Sequence, residues 1–495
     1  MYTSEYLQHD AVGLADLVRA RQLKAVEIID AAVRQIEALN PLNAVIHKTY
    51  DRARRAAADA TEGPLAGVPM LIKDLGQTVA GSPVTLGSRM LAHQIADHDS
   101  NLVARYRAAG MAILGQTNVP EFGLAATTEP ELFGPTRNPW NLERSAGGSS
   151  GGAAAAVAGR MVPTAHASDG GGSIRIPASM CGLFGLKPTR ARTPKGPDVG
   201  EGWFGLSVDH ALTVSVRDSA VLLDVTQGPD PGAPYFPPSP ARLYADEVDT
   251  APGLLRVAVS NAPMLGHSMD PACISAVQNV AELLTELGHE VTEATPAVDA
   301  GEMGFHFGVL SAAAAALGVT KASALAGRDP DPKMFEIGTW VTAVAGRRLS
   351  AEDLAAAIDF ARQLGRQTAP FWDTYDILVE PTLARPPWRL GEMTLSESER
   401  RTIEVIRRLP SRTVIRRVLQ RLGVKTLESI PNTPLWNVTG QPSMSVPLHW
   451  HEGLPIGVQF TARYADEATL FRLAAQLEAA RPWRHMIPPL VDEGT

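Results

Sequence analysis

The sequence predicts an α/β fold whose core sheet holds some parallel strands, and three neighbouring segments carry that prediction. Residues 69–73 are a short apolar run ending in a single lysine, Lys73, and read as a buried strand. Residues 101–110 read as a helix closed by Gly110, and residues 111–115 as a second short buried strand. Strand, helix and strand in that order is how a chain builds a parallel pair.

The other elements follow along the chain. Residues 10–39 read as helix, because Leu14, Leu17 and Val18, then Ile28, Ile29, Ala32, Val33 and Ile36, recur at helical spacing. Gly13 weakens that run and Asn40-Pro41 ends it. Residues 134–152 are loop-like, 153–158 read as helix and 162–167 as strand. Residues 194–205 and 228–240, rich in Gly and Pro, read as surface loops. A strand over 254–259 and a helix over 270–287 come next. Residues 303–425 are mostly helical in pattern, with more Arg and many small apolar residues, and 433–470 return to short strands. Residues 400–421 read as an amphipathic basic helix interrupted at Pro410, with a solvated face or an oligomer contact as its role. With no repeat, low-complexity stretch or linker in sight, one domain is expected over 1–495. Its parts are N-terminal helices (1–60), a catalytic core (61–300), a variable helical segment (300–430) and a return to the core (431–495).

Bulk properties narrow the function classes. The chain has 495 residues, with 45 Lys and Arg against 53 Asp and Glu, a net charge of −8 that favours neither nucleic acid nor an anionic membrane as partner. Two cysteines, Cys181 and Cys273, make no disulfide framework and no CxxC pair, and fit a cytoplasmic protein. The first ten residues have no basic and apolar signal pattern. The longest small-apolar runs, 151–159 and 308–319, fall short of the roughly 20 residues that span a bilayer. No HExxH, P-loop or Rossmann glycine fingerprint is present, so no metal or cofactor is expected.

The chemistry concentrates between Gly147 and Pro177. Two glycine-rich turns each carry a serine: Gly147-Gly-Ser149-Ser150-Gly-Gly, and Ser168-Asp169-Gly-Gly-Gly-Ser173-Ile-Arg175-Ile-Pro177. Glycine permits close approach of backbone or substrate, and successive N–H groups in such a turn can form an anion-binding nest. Acyl transfer needs donors aimed at a developing oxyanion, and Gly170, Gly171, Gly172 and Ser173 can supply them. A serine nucleophile needs a base. His166 is near in sequence, but its context does not place it. Lys73 is the better candidate, since burial in an apolar strand disfavours the charged amine and Ser–Lys pairs are an established variant of the triad. Each element alone has a structural reading: a lysine that snorkels or pairs, a serine in a plain turn, Asp169 and Arg175 as an ion pair.

Together, in this order, they resemble the signature of the amidase signature family. The match runs through Gly147, Gly148, Ser149, Ser150, Gly151, Gly152, Asp169, Gly171, Gly172, Ser173, Ile174, Arg175 and Pro177. It extends to Pro64-Leu-Ala-Gly-Val-Pro-Met-Leu-Ile-Lys-Asp, Gly115-Gln-Thr-Asn-Val-Pro-Glu-Phe, Asn138-Pro-Trp-Asn and Cys181-Gly-Leu-Phe-Gly-Leu-Lys-Pro-Thr. Near the end, Asn437-Val-Thr-Gly-Gln-Pro-Ser and Gly453-Leu-Pro-Ile-Gly-Val-Gln match as well, while 300–425 carries no motif. The resemblance implies the family fold, a large mixed twisted sheet covered by helices on both faces. It also implies a Ser–cisSer–Lys triad that cleaves amide bonds through an acyl-enzyme. Ser173 would be the nucleophile, Ser149 the bridging serine on a cis peptide and Lys73 the base. The oxyanion hole would lie at Gly170, Gly171, Gly172 and Ser173, with Asp169, Arg175 and Ser150 as structural support. Gly170 departs from the family pattern, where a larger residue is common.

Within the family, Asp97-His-Asp99, Thr127-Thr-Glu-Pro130, 136–141 and Leu287-Gly-His-Glu-Val291 resemble the nylon-oligomer type of amidase, which implies linear or cyclic aliphatic amides as substrates. Aryl acylamides, small amides and carbamates stay open, as does an ammonia-generating amidotransferase subunit. Two further readings compete: a G-x-S-x-G nucleophile elbow at Gly147–Gly151, which should follow a buried strand, and a binding protein that kept the fold. The partners expected are a small-molecule amide and water, with no nucleic acid and no membrane, and a homodimer is left open.

Overall fold

The computed structural model describes residues 3–59, 62–264, 268–394 and 427–492. Its centre is an 11-stranded mixed sheet, flanked by a separate two-stranded one. The strands are β1 (Val45–Lys48), β2 (Pro69–Lys73), β3 (Ala112–Thr117), β4 (Arg137–Asn138), β5 (Asn141–Ser145), β6 (Thr164–Asp169), β7 (Phe184–Lys187), β8 (Val208–Thr213), β9 (Arg256–Val259), β10 (Glu290–Glu293), β11 (Ile377–Pro381), β12 (Ser443–His451) and β13 (Leu454–Ala462). The large sheet runs β1-β3-β2-β6-β8-β7-β12-β13-β11-β9-β10, and β4 pairs with β5. β2 is parallel to β3, as the strand–helix–strand pattern predicts, and also to β6, and β9 is parallel to β10 and β11. The remaining pairs are antiparallel, including the long β12–β13 hairpin.

Apolar side chains on both faces hold the sheet between helices. On β11, Ile377 and Val379 pack into the cluster that holds the Pro271–Glu286 and Glu467–Ala480 helices. Leu378 points the other way, into a cluster with residues of the Ala300–Leu325, Ala351–Thr368 and Leu435–Thr439 helices. Val257, Ala258 and Val259 of β9 alternate in the same way. A strand buried on both faces reads as a continuous apolar run, which is why β2 and β3 show no alternation in sequence.

Four expectations shift. The run over 10–39 is two helices, Ala11–Arg19 and Ala25–Ala38, because Arg21 turns the chain with a φ of 56° and the Lys24 N–H then donates to Glu27 Oε2 at 2.9 Å to start the second. Apolar spacing continues across one left-handed residue and does not register it. Residues 134–152, read as loop, contain the β4–β5 hairpin. Residues 303–425, read as helical, contain β11, a short buried strand between β9 and β13. The apolar stretch that begins before residue 308 is a 26-residue helix, Ala300–Leu325, long and apolar enough by length and composition alone to cross a membrane; here it packs against the Ile337–Gly346 and Ala351–Thr368 helices. The basic helix expected over 400–421 lies outside the described residues.

Candidate active site

β2 and β6 run parallel, so their last residues, Lys73 and Asp169, reach the same edge of the sheet. Ligands of α/β sheets gather at that carboxyl edge. Ser149 and Ser150 arrive there just ahead of the Gly151–Ala158 helix, and Ser173 just ahead of the Arg175–Cys181 helix. Ser149 follows β5, a partly exposed strand of the small sheet rather than a buried central strand, which is not the setting of a nucleophile elbow.

Lys73 is fully buried, and its Nζ donates to Ser149 Oγ at 2.8 Å, Ser150 Oγ at 2.8 Å and Ser168 Oγ at 3.0 Å. The Gly148–Ser149 peptide is cis. Burial lowers the Lys73 pKa to about 7, against the nearby charges of Asp209 and Asp169, which work to raise it. His166 is not the serine's partner. It lies buried on β6, where Nδ1 accepts the Lys73 backbone N–H at 3.3 Å and Nε2 meets Asp209 Oδ1 at 3.1 Å, so the neutral ring carries its proton on Nε2. Asp209 is further paired with Lys195.

Asp169 shapes the turn that carries Ser173. Its Oδ1 accepts the Gly172 N–H at 2.7 Å and its Oδ2 the Ile174 N–H at 3.1 Å. Arg175 binds it from the other side, Nε to Oδ2 at 3.0 Å and Nη2 to Oδ1 at 3.0 Å. Burial works to raise the Asp169 pKa, and the Arg175 guanidinium overrides it and holds the carboxyl well below the usual range. Asn437 Nδ2 adds a bond to Asp169 Oδ1 at 2.8 Å, and the rest of the Arg175 fork reaches Gln459 and Asn437. Gly172, with a φ of 130°, has room for no side chain: a Cβ would stand 2.5 Å from Thr433 Oγ1. Since the Gly172 N–H is spent on Asp169, it drops out of the four expected oxyanion donors, and the amides of Gly170, Gly171 and Ser173 remain.

These groups open on a cleft of about 640 Å³, lined by Ser149, Ser168 and Ser173 among mostly apolar side chains. The match to known proteins is now decisive, since the family model for Amidase aligns with residues 27–471. The chain belongs to the amidase family. It is 37% identical to the 6-aminohexanoate-cyclic-dimer hydrolase of Paenarthrobacter ureafaciens, over 98% of this chain and 97% of that one. To a putative amidase AmiC of Mycobacterium leprae it is 36% identical, over 96% and 95% of the two chains. Among solved structures, 6-aminohexanoate cyclic dimer hydrolase complexed with substrate superposes with a TM-score of 0.90 at 36% identity, covering 98% and 99% of the chains. A bacterial aryl acylamidase of the amidase signature family gives a TM-score of 0.84 at 26% identity, covering 98% of both. This amidase is accordingly an amide-cleaving hydrolase.

The sequence does not show several of the contacts that shape the site of the amidase. Ser168 lies inside the motif, yet a strand-end serine has no signature that marks it as a lysine's partner. Asn437, on the Leu435–Thr439 helix, and Gln459, on β13, sit some 260 to 290 residues from Asp169 and Arg175 in the chain and meet them only through the tertiary fold. Phe307, Ser311, Ala314, Leu317, Gly318, Lys321 and Leu325 of the long helix line one wall of the cleft, in the motif-free 300–425 segment whose small apolar residues at 311–317 suggest such a wall from sequence.

Proposed function

We propose that this amidase works through an acyl-enzyme on Ser173, with Lys73 as the base and Ser149 as the relay between them. The observation that carries this is the 2.8 Å bond between the Lys73 Nζ and Ser149 Oγ, made by a lysine whose pKa burial has brought to about 7. A neutral amine has two N–H bonds and one lone pair. The N–H groups serve Ser150 and Ser168, and the lone pair accepts the Ser149 proton. Ser149 Oγ takes the Ser173 proton in turn as Ser173 Oγ attacks the amide carbon. The oxyanion takes hydrogen bonds from the amides of Gly170, Gly171 and Ser173. Collapse breaks the C–N bond, and the proton held by Lys73 returns through Ser149 to the departing nitrogen. Water then attacks the Ser173 ester, sends its proton along the same relay, and releases the carboxylic acid and free serine. Asp169 and Arg175 hold the turn, and Ser150 holds the lysine.

The substrates we propose are linear or cyclic aliphatic amides. A cleft lined mostly by apolar surface, with the charged groups of Lys195, Asp198, Glu201 and Lys321 also on its wall, suits a methylene chain that carries polar ends, and the relatives above include hydrolases named for a cyclic aliphatic diamide. The test is a panel of aliphatic lactam dimers, linear aliphatic amides, anilides and carbamates, with the acyl group trapped and located by mass spectrometry. An acyl adduct on a residue other than Ser173 would sink the mechanism. Turnover confined to carbamates or anilides would sink the substrate class.

A further inference from the structure

Two aromatic rings close over the glycine turn that carries Ser173. A Cβ on Gly170 would stand 3.4 Å from the Trp203 indole, and one on Gly171 would stand 3.0 Å from Cζ of Phe307. A ring from a separate element thus lies against each of the two residues ahead of Gly172 and Ser173, in ordinary contact distance at Gly170 and tightly at Gly171: Trp203 from the 195–207 loop and Phe307 from the Ala300–Leu325 helix. The absence of a larger residue at 170 is the counterpart of a tryptophan that fills its place. The loop is pinned. Trp203 and Phe204 both hold left-handed backbone, with φ of 50° and 54°, inside a turn where the N–H groups of Gly205 and Ser207 donate to Gly202 O at 3.1 Å each. Arg190 Nε donates to Gly205 O at 2.7 Å, and Asn437, which also binds Asp169, donates to Leu206 O at 3.0 Å. Bulky residues in left-handed backbone are rare and gather at functional sites. Both rings line the cleft and pack in one apolar cluster.

In the acyl transfer proposed above, the leaving nitrogen faces Ser149 and Lys73, which return its proton, and the carbonyl oxygen faces the amides of Gly170 and Gly171. The acyl chain is then the part of the substrate that must run past the two rings. We infer that Trp203 and Phe307 form a specificity slot that passes an unbranched methylene chain at the acyl α-carbon and rejects acyl groups branched there. The slot deepens the proposed substrate class and rests on acylation of Ser173.

The test compares two isomeric acyl groups on one leaving group, the 4-nitroanilides of hexanoic acid and of 2,2-dimethylbutanoic acid. Wild type should favour the hexanoyl anilide in kcat/KM by at least about 100-fold, and Trp203→Ala and Phe307→Ala should each narrow that ratio by roughly 10-fold or more. Trp203→Phe and Phe307→Leu, which keep the apolar cover, replace an alanine variant that does not fold. Equal losses on both anilides, an unchanged ratio, or a wild type indifferent to branching overturn the slot alone, because Ser173 still acylates. Hydrolysis of neither anilide, with no acyl group trapped on Ser173 from any amide, removes the acyl-enzyme reading and the slot together.

Discussion

Ser149 Oγ lies 2.8 Å from Lys73 Nζ, and both residues are buried at the carboxyl edge of the sheet. Among the described residues the lysine has three serine hydroxyls around it and no carboxylate within ion-pair distance. A buried ammonium stripped of water and given hydroxyl and carbonyl partners but no counter-ion in contact is easily deprotonated.

The pH dependence of activity follows. Below about 7 Lys73 carries its proton and has no lone pair to offer, so kcat/KM should fall about tenfold per pH unit. Above that pH the rate should level off, well before the ordinary lysine range near 10.4. Lys73→Ala should cost several orders of magnitude. A rate still climbing at pH 9, or near-normal activity of the alanine variant at neutral pH, would show that another group is the base.

Replacing the nucleophile is the second expectation. Ser173→Ala should lower kcat by at least about 10⁴-fold while leaving the unfolding midpoint in place, because the half-buried hydroxyl faces the cleft. A serine-directed covalent probe should mark Ser173. Labelling of Ser149 with Ser173 untouched would instead favour Ser149 as nucleophile.

Stability should depend on Asp169. Its carboxylate receives the Gly172 and Ile174 amides, Asn437 and two arms of Arg175, and both members of the pair are fully buried. Asp169→Ala leaves the Arg175 charge without its counter-ion, a loss of about 3–5 kcal/mol in denaturant unfolding. A change below about 1 kcal/mol would mean that Gln459 and Asn437 satisfy the guanidinium unaided.

Enlarging the long helix should alter substrate choice. Ser311 and Ala314 line the cleft, one turn and two turns beyond Phe307. Ala314→Leu or Ser311→Leu should reduce kcat/KM for long acyl chains more than for short ones, by ~1–3 kcal/mol per methylene-sized clash. Equal losses for every chain length, together with a lower unfolding temperature, would mean plain core packing.

The legible part of this protein is local in origin. A lysine closing the apolar run 69–73, and two serines in glycine-rich turns, each announce themselves within ten residues, and the structure brings Lys73 and Ser149 into contact. β11 is not legible in that way: Ile377–Pro381 is five residues long, and a short apolar run among helices has no period that separates strand from buried helix.

By itself the sequence determined the parallel β2–β3 unit, the buried lysine, the paired serine turns and the family, because each depends on which residues are adjacent in the chain. Only the tertiary structure decided the rest: that Ser168 shares the lysine, that Gly172 gives its amide to Asp169, and that Trp203 and Phe307 lie against Gly170 and Gly171. Those contacts join residues brought together by strand order and helix packing, and such proximity leaves no trace in the spacing of either partner.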